Sequence, residues 1–257
     1  MGRPERLFSL FAGIDGIKGV GPRSIRAFAR LRVETRRDLL FHMPTGVIDR
    51  RPSTRLAGVL PGGIVTVEGH ATGHQAPRRP GAPHRVTFAA AGTVLELVFF
   101  RAKGDWLQRQ LPMGQTRLVS GKAELYDDRW QILHPDFIVT PEEAAEIPPF
   151  EPVYPLAEGL TQRLVGKAAR EALTDAPILP EWHDPALMTR EHWPAWRDAL
   201  QAIHMPDGPG AHGPGAPARQ RLAYDELLSH QLALALGRAQ MRRGQGQVTV
   251  EDAALTE

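Results

Sequence analysis

Five short apolar segments, each bounded by turn residues, fill the middle of this chain and indicate an antiparallel β-fold. They cover residues 64–71, 85–89, 94–100, 117–125 and 130–139. A turn at Pro61-Gly62-Gly63 precedes the first segment. Two further turns separate segments: Ala91-Gly92 follows the second, and Tyr126-Asp127-Asp128-Arg129 precedes the last. A short helix is expected near residues 106–111. Strands in this order match a five-stranded OB-fold barrel, and a β-sandwich of similar strand count is the alternative.

Helical patterns flank this strand-rich region on both sides. Before it, Leu7, Leu10 and Phe11 form a short apolar stripe, and Pro22 stands where a helix would begin. After it, a run of prolines marks a joint, and a leucine-rich helix is predicted over residues 222–241. The predicted fold class is α+β with three parts. They are an N-terminal helical segment (residues 1–55), the OB-fold barrel (residues 56–140) and a mainly helical connector (residues 141–257), expected to fray after Arg243.

The composition excludes several functional classes. The 257 residues contain no cysteine, which removes disulfides, thiolate nucleophiles and cysteine-type zinc fingers. No apolar stretch approaches the roughly 18 residues that span a bilayer, and the N-terminus lacks a secretory pattern. We therefore expect a cytoplasmic protein with no membrane contact. The formal net charge is only +2, so attraction to nucleic acid would have to come from local patches.

One segment after the third apolar run combines the residue types that bind nucleic acid. Phe99 and Phe100 end the run, and Arg101, Lys103 and Trp106 follow within seven residues. Aromatic rings held on a rigid sheet stack on bases, while neighbouring cations contact phosphates. Nucleic acid is therefore the leading ligand.

Strand alternation predicts which of the two phenylalanines is exposed. Leu95, Leu97 and Phe99 share one face of the strand, and Glu96 and Phe100 lie on the other. A charged Glu96 should face solvent, which puts Phe99 in the barrel and Phe100 outside. The alternative is that both rings are buried against the next region.

Two other segments are candidates for phosphate contacts. Arg78, Arg79 and Arg85 flank a loop rich in proline and glycine, which either touches duplex phosphates or is simply an exposed loop. The segment from Ile17 to Pro22 resembles the hairpin of a helix-hairpin-helix motif. Its candidate phosphate-binding residues are Lys18, Gly19 and Gly21. A glycine-rich turn between two packed helices is the alternative.

Catalytic chemistry has little support in the sequence. A nucleotide-driven motor needs the phosphate loop G-x-x-x-x-G-K-[ST], and the nearest string, Gly166-Lys167-Ala168, lacks the upstream glycine and the hydroxyl. His70 and His74 fall on a strand and a loop, which favours ordinary polar surface over a metal pair. We predict no catalytic residue and no metal site. A hydrolase would require metal-dependent turnover, which we do not expect.

Several separated motifs together resemble one protein family. In chain order they are GVGP at residues 19–22, DLLFHMP at 38–44, FF…WL at 99–107, HPD at 134–136, PVYPLAEGL at 152–160 and RLAYDELL at 221–228. Their order over nearly the whole chain is similar to the N-terminal part of the bacterial ATP-dependent DNA helicase RecG.

The resemblance implies a wedge domain of OB fold that binds branched DNA, such as replication forks and Holliday junctions, in recombination and DNA repair. Phe100 and Trp106 fall on the positions where aromatic residues of the family stack at the branch point. Arg101 and Trp106 depart from the commonest residues of the family, although tryptophan keeps a stacking face.

The resemblance also implies ATP and magnesium for a motor beyond this chain. The chain itself is expected to need no cofactor and to hydrolyse nothing alone. Binding to single-stranded-DNA-binding protein is expected from the family, and we expect a monomer. The competing interpretation is a free-standing OB-fold protein that binds single-stranded nucleic acid without preferring branches.

Overall fold

The structure is a computed structural model that describes residues 4–53, 56, 58–90 and 92–242. The chain begins with short helices. They are α1 (Phe8–Phe11), α2 (Pro22–Arg30) and α3 (Arg36–Leu40). Pro22 occupies the first turn of α2, where its missing amide costs nothing. Thr35 and Asp38 form a capping box that closes the start of α3. A four-residue strand, β1 (Gly46–Asp49), follows.

A closed β-barrel comes next. Its strands are β2 (Ile64–Gln75), β3 (His84–Ala90), β4 (Thr93–Phe99), β5 (Thr116–Tyr126) and β6 (Arg129–Leu133). They neighbour one another in the order β2-β3-β4-β6-β5, and pairing of β2 with β5 closes the ring. Only β4 and β6 run parallel, and helix α4 (Gly104–Gln110) connects β4 to β5. This is the predicted OB-fold topology, which excludes the β-sandwich.

Close packing and tight turns explain why the strands close. The interior is filled by aliphatic and phenylalanine side chains, among them Val67, Val86, Phe88, Leu95, Leu97, Val119 and Ile132. Gly69 lets β2 cross β3 closely, since a Cβ there would lie 2.2 Å from the carbonyl oxygen of Ala89. Asp127 and Asp128 both have positive φ angles, +51° and +55°, as a two-residue hairpin turn requires. The predicted turn at Ala91-Gly92 lies partly outside the described residues.

The segment predicted as one strand over residues 130–139 is divided. Strand β6 ends at Leu133, and β7 (Phe137–Val139) pairs separately with β5. His134 has a φ of +46° and Pro135 lacks an amide hydrogen, so the ladder cannot continue through them. Farther along, β8 (Phe150–Val153) pairs antiparallel with β1, a small sheet that the sequence did not predict.

The remaining helices pack with those at the start of the chain. They are α5 (Gln162–Thr174), α6 (Pro185–Arg190), α7 (Trp196–His204) and α8 (Pro217–Arg242). The two terminal groups of helices share one hydrophobic cluster, which we call the helical body, and the barrel has its own cluster. Helix α8 begins five residues before its predicted start, with Pro217 as its first residue. The predicted fraying after Arg243 lies outside the described residues.

The three predicted parts are therefore built around two principal cores in the residues that the structure describes. No helix in the described ranges is long and apolar enough to cross a membrane.

Candidate nucleic-acid interface

The end of β4 places its two phenylalanines on opposite sides of the barrel wall. Phe99 is 4% exposed and belongs to the barrel core, whereas Phe100 is 44% exposed. The alternation that predicted an outward Phe100 is confirmed. Val98 has the same parity as Phe100 but is buried, whereas Val94 at the start of the strand is exposed, so this face is covered only in its middle.

His134 holds the backbone and the ring of Phe100. The Phe100 backbone N–H donates to His134 Nε2 at 3.2 Å, and the two ring centroids are 5.9 Å apart. The His134 backbone N–H donates to the carbonyl oxygen of Val98 at 2.9 Å. The sequence placed this histidine inside the predicted strand of residues 130–139, with no link to Phe100. Its contact with Phe100 joins residues far apart in the chain, and no local pattern could reveal it.

Backbone strain is concentrated on both sides of this ring. Arg101 has a φ of +59° and His134 a φ of +46°, in the left-handed region that side chains other than glycine rarely adopt. Each such residue costs of the order of 1 kcal/mol. The left-handed Arg101 turns the chain sharply out of β4, which ends the strand with Phe100 at its outer edge.

Trp106 is presented by the first turn of α4. The N–H groups of Trp106 and Leu107 both donate to the carbonyl oxygen of Lys103 at 3.1 Å, which fixes the start of the helix. Leu107 and Leu111 are fully buried in the barrel core. Trp106 precedes the buried leucine, faces outward and is 43% exposed. The indole is therefore available as a second flat surface on the same barrel.

A histidine pair, with His84 buried and His74 partly buried, lies beside the start of α4. His84 is enclosed near Gly104, and its Nε2 lies 3.3 Å from Nδ1 of His74. Burial, followed by the nearby His74, lowers the pKa of His84. His74 thus contacts His84 rather than His70. The described residues contain no group of three or more histidines and acids that could hold a metal ion.

The loop between β2 and β3 brings its arginines to the end of β4. Arg78, Arg79 and Arg101 line a shallow groove of about 410 Å³ together with Phe99. An adjoining groove of about 400 Å³ is lined by Arg78, Arg79 and Arg85. The structure therefore brings two separately predicted sets of cations, the loop arginines and Arg101, to one side of the barrel.

These cations differ in how free they are. Arg78, Arg79, Arg101 and Lys103 are exposed, and none of them forms an ion pair with a residue that the structure describes. Arg85 instead lies within β3 and pairs with Glu96 on the neighbouring strand. The first four are consequently available for phosphates, whereas Arg85 would first have to break its ion pair with Glu96.

The predicted hairpin motif belongs to the helical body rather than to the barrel surface. Ile17 and Val20 are buried in the helical core, and Gly19 has a φ of +93°. The backbone N–H of Lys18 donates to Glu171 Oε1 at 3.0 Å. The Lys18 amide, which was predicted to bind phosphate, thus already donates to a carboxylate from α5. Gly21 precedes α2, where the sequence placed a helix start.

Arg50 is a residue whose importance the sequence did not reveal. Its guanidinium is 4% exposed and donates to Glu151 Oε2 at 2.5 Å, Ser120 Oγ at 2.9 Å and Asp136 Oδ2 at 3.0 Å. Ser120 lies on barrel strand β5, and Glu151 lies on β8. One side chain therefore ties the barrel to the small sheet that leads into the helical body.

Comparison with known proteins identifies relatives for this combination of barrel and helices. The chain is 29% identical over 230 residues to the ATP-dependent DNA helicase RecG of Thermotoga maritima, covering 87% of this chain and 29% of that protein. It is 26% identical over 245 residues to the Escherichia coli K12 protein of that name, covering 90% and 34%. The chain thus spans about a third of the length of these relatives.

A solved structure supports the same relationship. A structure of RecG bound to a three-way DNA junction matches with a TM-score of 0.68 and 27% identity, covering 90% of this chain and 32% of that one. The model of the RecG wedge domain family matches residues 13–176, which include the barrel and the helices that directly flank it. The chain therefore belongs to the RecG wedge domain family.

Proposed function

We propose that this chain binds branched DNA through the barrel surface around Phe100 and Trp106. The observation that carries the proposal is the exposure of both rings beside cations that have no carboxylate partner in the described chain. A structural relative is bound to a three-way DNA junction, which supports a branched ligand over a plain one.

The geometry suits a wedge at the point where paired strands separate. At a branch point, base pairs end and their faces become open to stacking. A ring held by a closed barrel offers such a face at little entropic cost, because Phe100 is already fixed by His134. The free arginines of the adjoining loop would contact the phosphates of the separated strands.

In the cell we place this wedge within a RecG-like helicase acting in recombination and DNA repair in the cytoplasm. ATP and magnesium would serve a motor outside this chain, and the wedge itself would need no cofactor. Binding to single-stranded-DNA-binding protein and a monomeric state complete the proposal; both derive from the family resemblance. The Lys18–Gly21 hairpin would contribute phosphate contacts only if Glu171 releases the Lys18 amide.

Binding measurements with matched substrates test the proposal. Fluorescence anisotropy would compare a three-way junction, a plain duplex and a single strand, using the chain and its Phe100→Ala/Trp106→Ala variant. Each stacked base contributes about 1–3 kcal/mol, so the variant should lose roughly tenfold or more in junction affinity. Its affinity for plain duplex should change little, because a duplex offers no open base face.

A variant on the helical body provides the control. Phe8 is also an exposed phenylalanine, so Phe8→Ala removes a comparable ring away from the barrel and should leave junction affinity unchanged. Equal affinity of the original chain for junction and single strand would instead support the free-standing single-strand-binding protein. An undiminished junction affinity of the double variant would reject the wedge.

A further inference from the structure

We propose a second DNA contact, a basic groove along α5 that binds the phosphodiester backbone of a duplex arm. The groove has a volume of about 430 Å³ and lies between α5 and the segment from β7 to β8. Its α5 side is formed by Arg163, Gly166, Lys167 and Arg170. The proposal rests on the proposed function for the identity of its ligand, but it involves different residues.

The spacing of the cations fits a DNA strand. Residues 163, 167 and 170 are separated by four and three positions, so they share one helix face. At about 1.5 Å per residue the first and last lie about 10 Å apart along the helix axis. That is the axial length of about three phosphate spacings of one strand, each about 3.4 Å. The three cations are therefore positioned for neighbouring phosphates.

The acids beside the groove are already engaged. Glu151 accepts a hydrogen bond from Arg50 at 2.5 Å, and Glu146 lies 3.9 Å from Arg163. Lys167 and Arg170 are both exposed, and neither has an ion-pair partner in the described part of the chain. They supply the positive charge that remains for a ligand.

Glu171 does not neutralise Lys167, although it lies one helical turn farther on. Its carboxylate accepts the backbone N–H of Lys18 at 3.0 Å instead. The internal carboxylate contact of the hairpin thus leaves the cation on the neighbouring turn free.

Gly166 gives the groove a flat floor. A Cβ at this position would lie 3.6 Å from the Arg170 guanidinium and 3.6 Å from the ring of Tyr154. Arg170 therefore extends back along the helix, over Gly166 and toward the buried tyrosine.

The chemistry of the groove selects phosphates rather than bases. Phe137, its aromatic side chain, already has the guanidinium of Arg50 stacked 5.1 Å from its ring centroid. The binding should consequently be independent of sequence and strongly dependent on salt.

The test is a Lys167→Ala/Arg170→Ala variant of the chain, titrated with a three-way junction and with a plain duplex at several salt concentrations. We expect the affinity for both to fall by the same factor, about tenfold or more at low salt. The slope of log affinity against log salt should decrease by about 2, because each lost phosphate contact removes about 0.9. The ratio of junction to duplex affinity should not change.

Controls separate charge, folding and the wedge. A Lys167→Arg/Arg170→Lys variant should keep the salt slope, and Arg190→Ala/Arg238→Ala, which removes two exposed cations elsewhere, should leave it unchanged. Circular dichroism melting verifies that each variant is folded. Unaltered affinity and salt slope in the folded Lys167→Ala/Arg170→Ala variant would show that the α5 groove does not bind DNA.

The two proposals fail in different ways. If the Phe100→Ala/Trp106→Ala variant keeps its junction preference while the α5 variant loses duplex affinity, the stacking role of the two rings is rejected and the DNA contact at the α5 groove is supported. If only the Phe100→Ala/Trp106→Ala variant loses junction affinity, the DNA contact at the α5 groove is rejected and the stacking role of the two rings is supported.

Discussion

The barrel and the helical body bury different kinds of side chain. The barrel encloses mainly aliphatic and phenylalanine side chains with a few neutral polar ones such as Ser120, and Arg78, Arg79 and Arg101 line its surface groove. The helical body also encloses Arg221, His183 and His204. Arg221 contacts the carboxylates of Glu181, at 2.6 Å, and Asp225, and Asp225 lies 3.0 Å from His183.

The difference separates two uses of charge. A buried cation must be paired, so Arg221 is committed to holding α8 on the segment around Glu181. An exposed cation without a carboxylate partner remains available for a ligand, as Arg78 and Arg79 are. The barrel therefore uses its unpaired cations for binding, whereas the helical body also uses buried ion pairs for its own stability and has unpaired cations only on surfaces such as α5.

The largest predicted effect tests whether the two cores unfold independently. Phe88 in the barrel and Phe28 in the helical body are both fully buried. Replacing either with alanine should lower the free energy of unfolding of its own core by about 3–5 kcal/mol. Hydrogen exchange followed by mass spectrometry should show Phe88→Ala opening the barrel strands and Phe28→Ala opening the helices. Equal loss of protection in both regions would show that they form one cooperative unit.

Acid should distinguish the two cores by a smaller amount. His204 accepts from the Tyr154 hydroxyl at 2.9 Å and donates to the carbonyl oxygen of Leu40 at 2.8 Å. Burial lowers the pKa of His204 from 6.5 to about 4. The unfolded chain therefore binds this proton first, and stability falls as the pH drops from about 6.5 to about 4.

The expected loss is roughly 3 kcal/mol in the helical body, from 1.36 kcal/mol for each unit of pKa difference. Burial also lowers the pKa of His212 in that body, while His84 is the corresponding group in the barrel. Hydrogen exchange at pH 7 and pH 5 should therefore show the helices losing protection before the strands. Earlier opening of the barrel in acid would contradict this assignment.

The smallest effect concerns the strained turn beside Phe100. Because Arg101 has a φ of +59°, Arg101→Gly should raise the free energy of unfolding of the barrel by roughly 0.5–1 kcal/mol. The same change removes a cation from the groove, so DNA affinity should fall. Thermal denaturation would compare it with Arg78→Gly, a loop substitution that relieves no positive φ. If Arg101→Gly gives no greater stability than Arg78→Gly, the turn stores no strain.

Local patterns predicted the barrel because its strands alternate between interior and solvent. Glu96 identified the outer face of β4, and that face led to the exposed Phe100. Asp127 and Asp128 tolerate positive φ angles, so the predicted hairpin turn follows from their chemistry. These inferences needed only residues within a few positions of one another.

Contacts between distant segments had no comparable signal. Strands β1 and β8 are four residues long, lie about a hundred positions apart and include Pro152, so neither shows a strand pattern. Arg50 and Arg51 are adjacent and chemically identical, yet the first is buried in a network and the second is exposed. The left-handed backbone of Arg101 could not be predicted, because glycine and asparagine are the residues that signal a positive φ.

The three-way anchorage of Arg50 has a mechanical consequence if the barrel parts paired strands as proposed. DNA drawn against such a barrel pushes back on it, and that load must pass to the rest of the protein. A planar guanidinium held by Glu151, Ser120 and Asp136 resists rotation about each of these bonds, because turning about one stretches the other two. On the proposed function, the barrel is thereby braced against the recoil of DNA that bears on it.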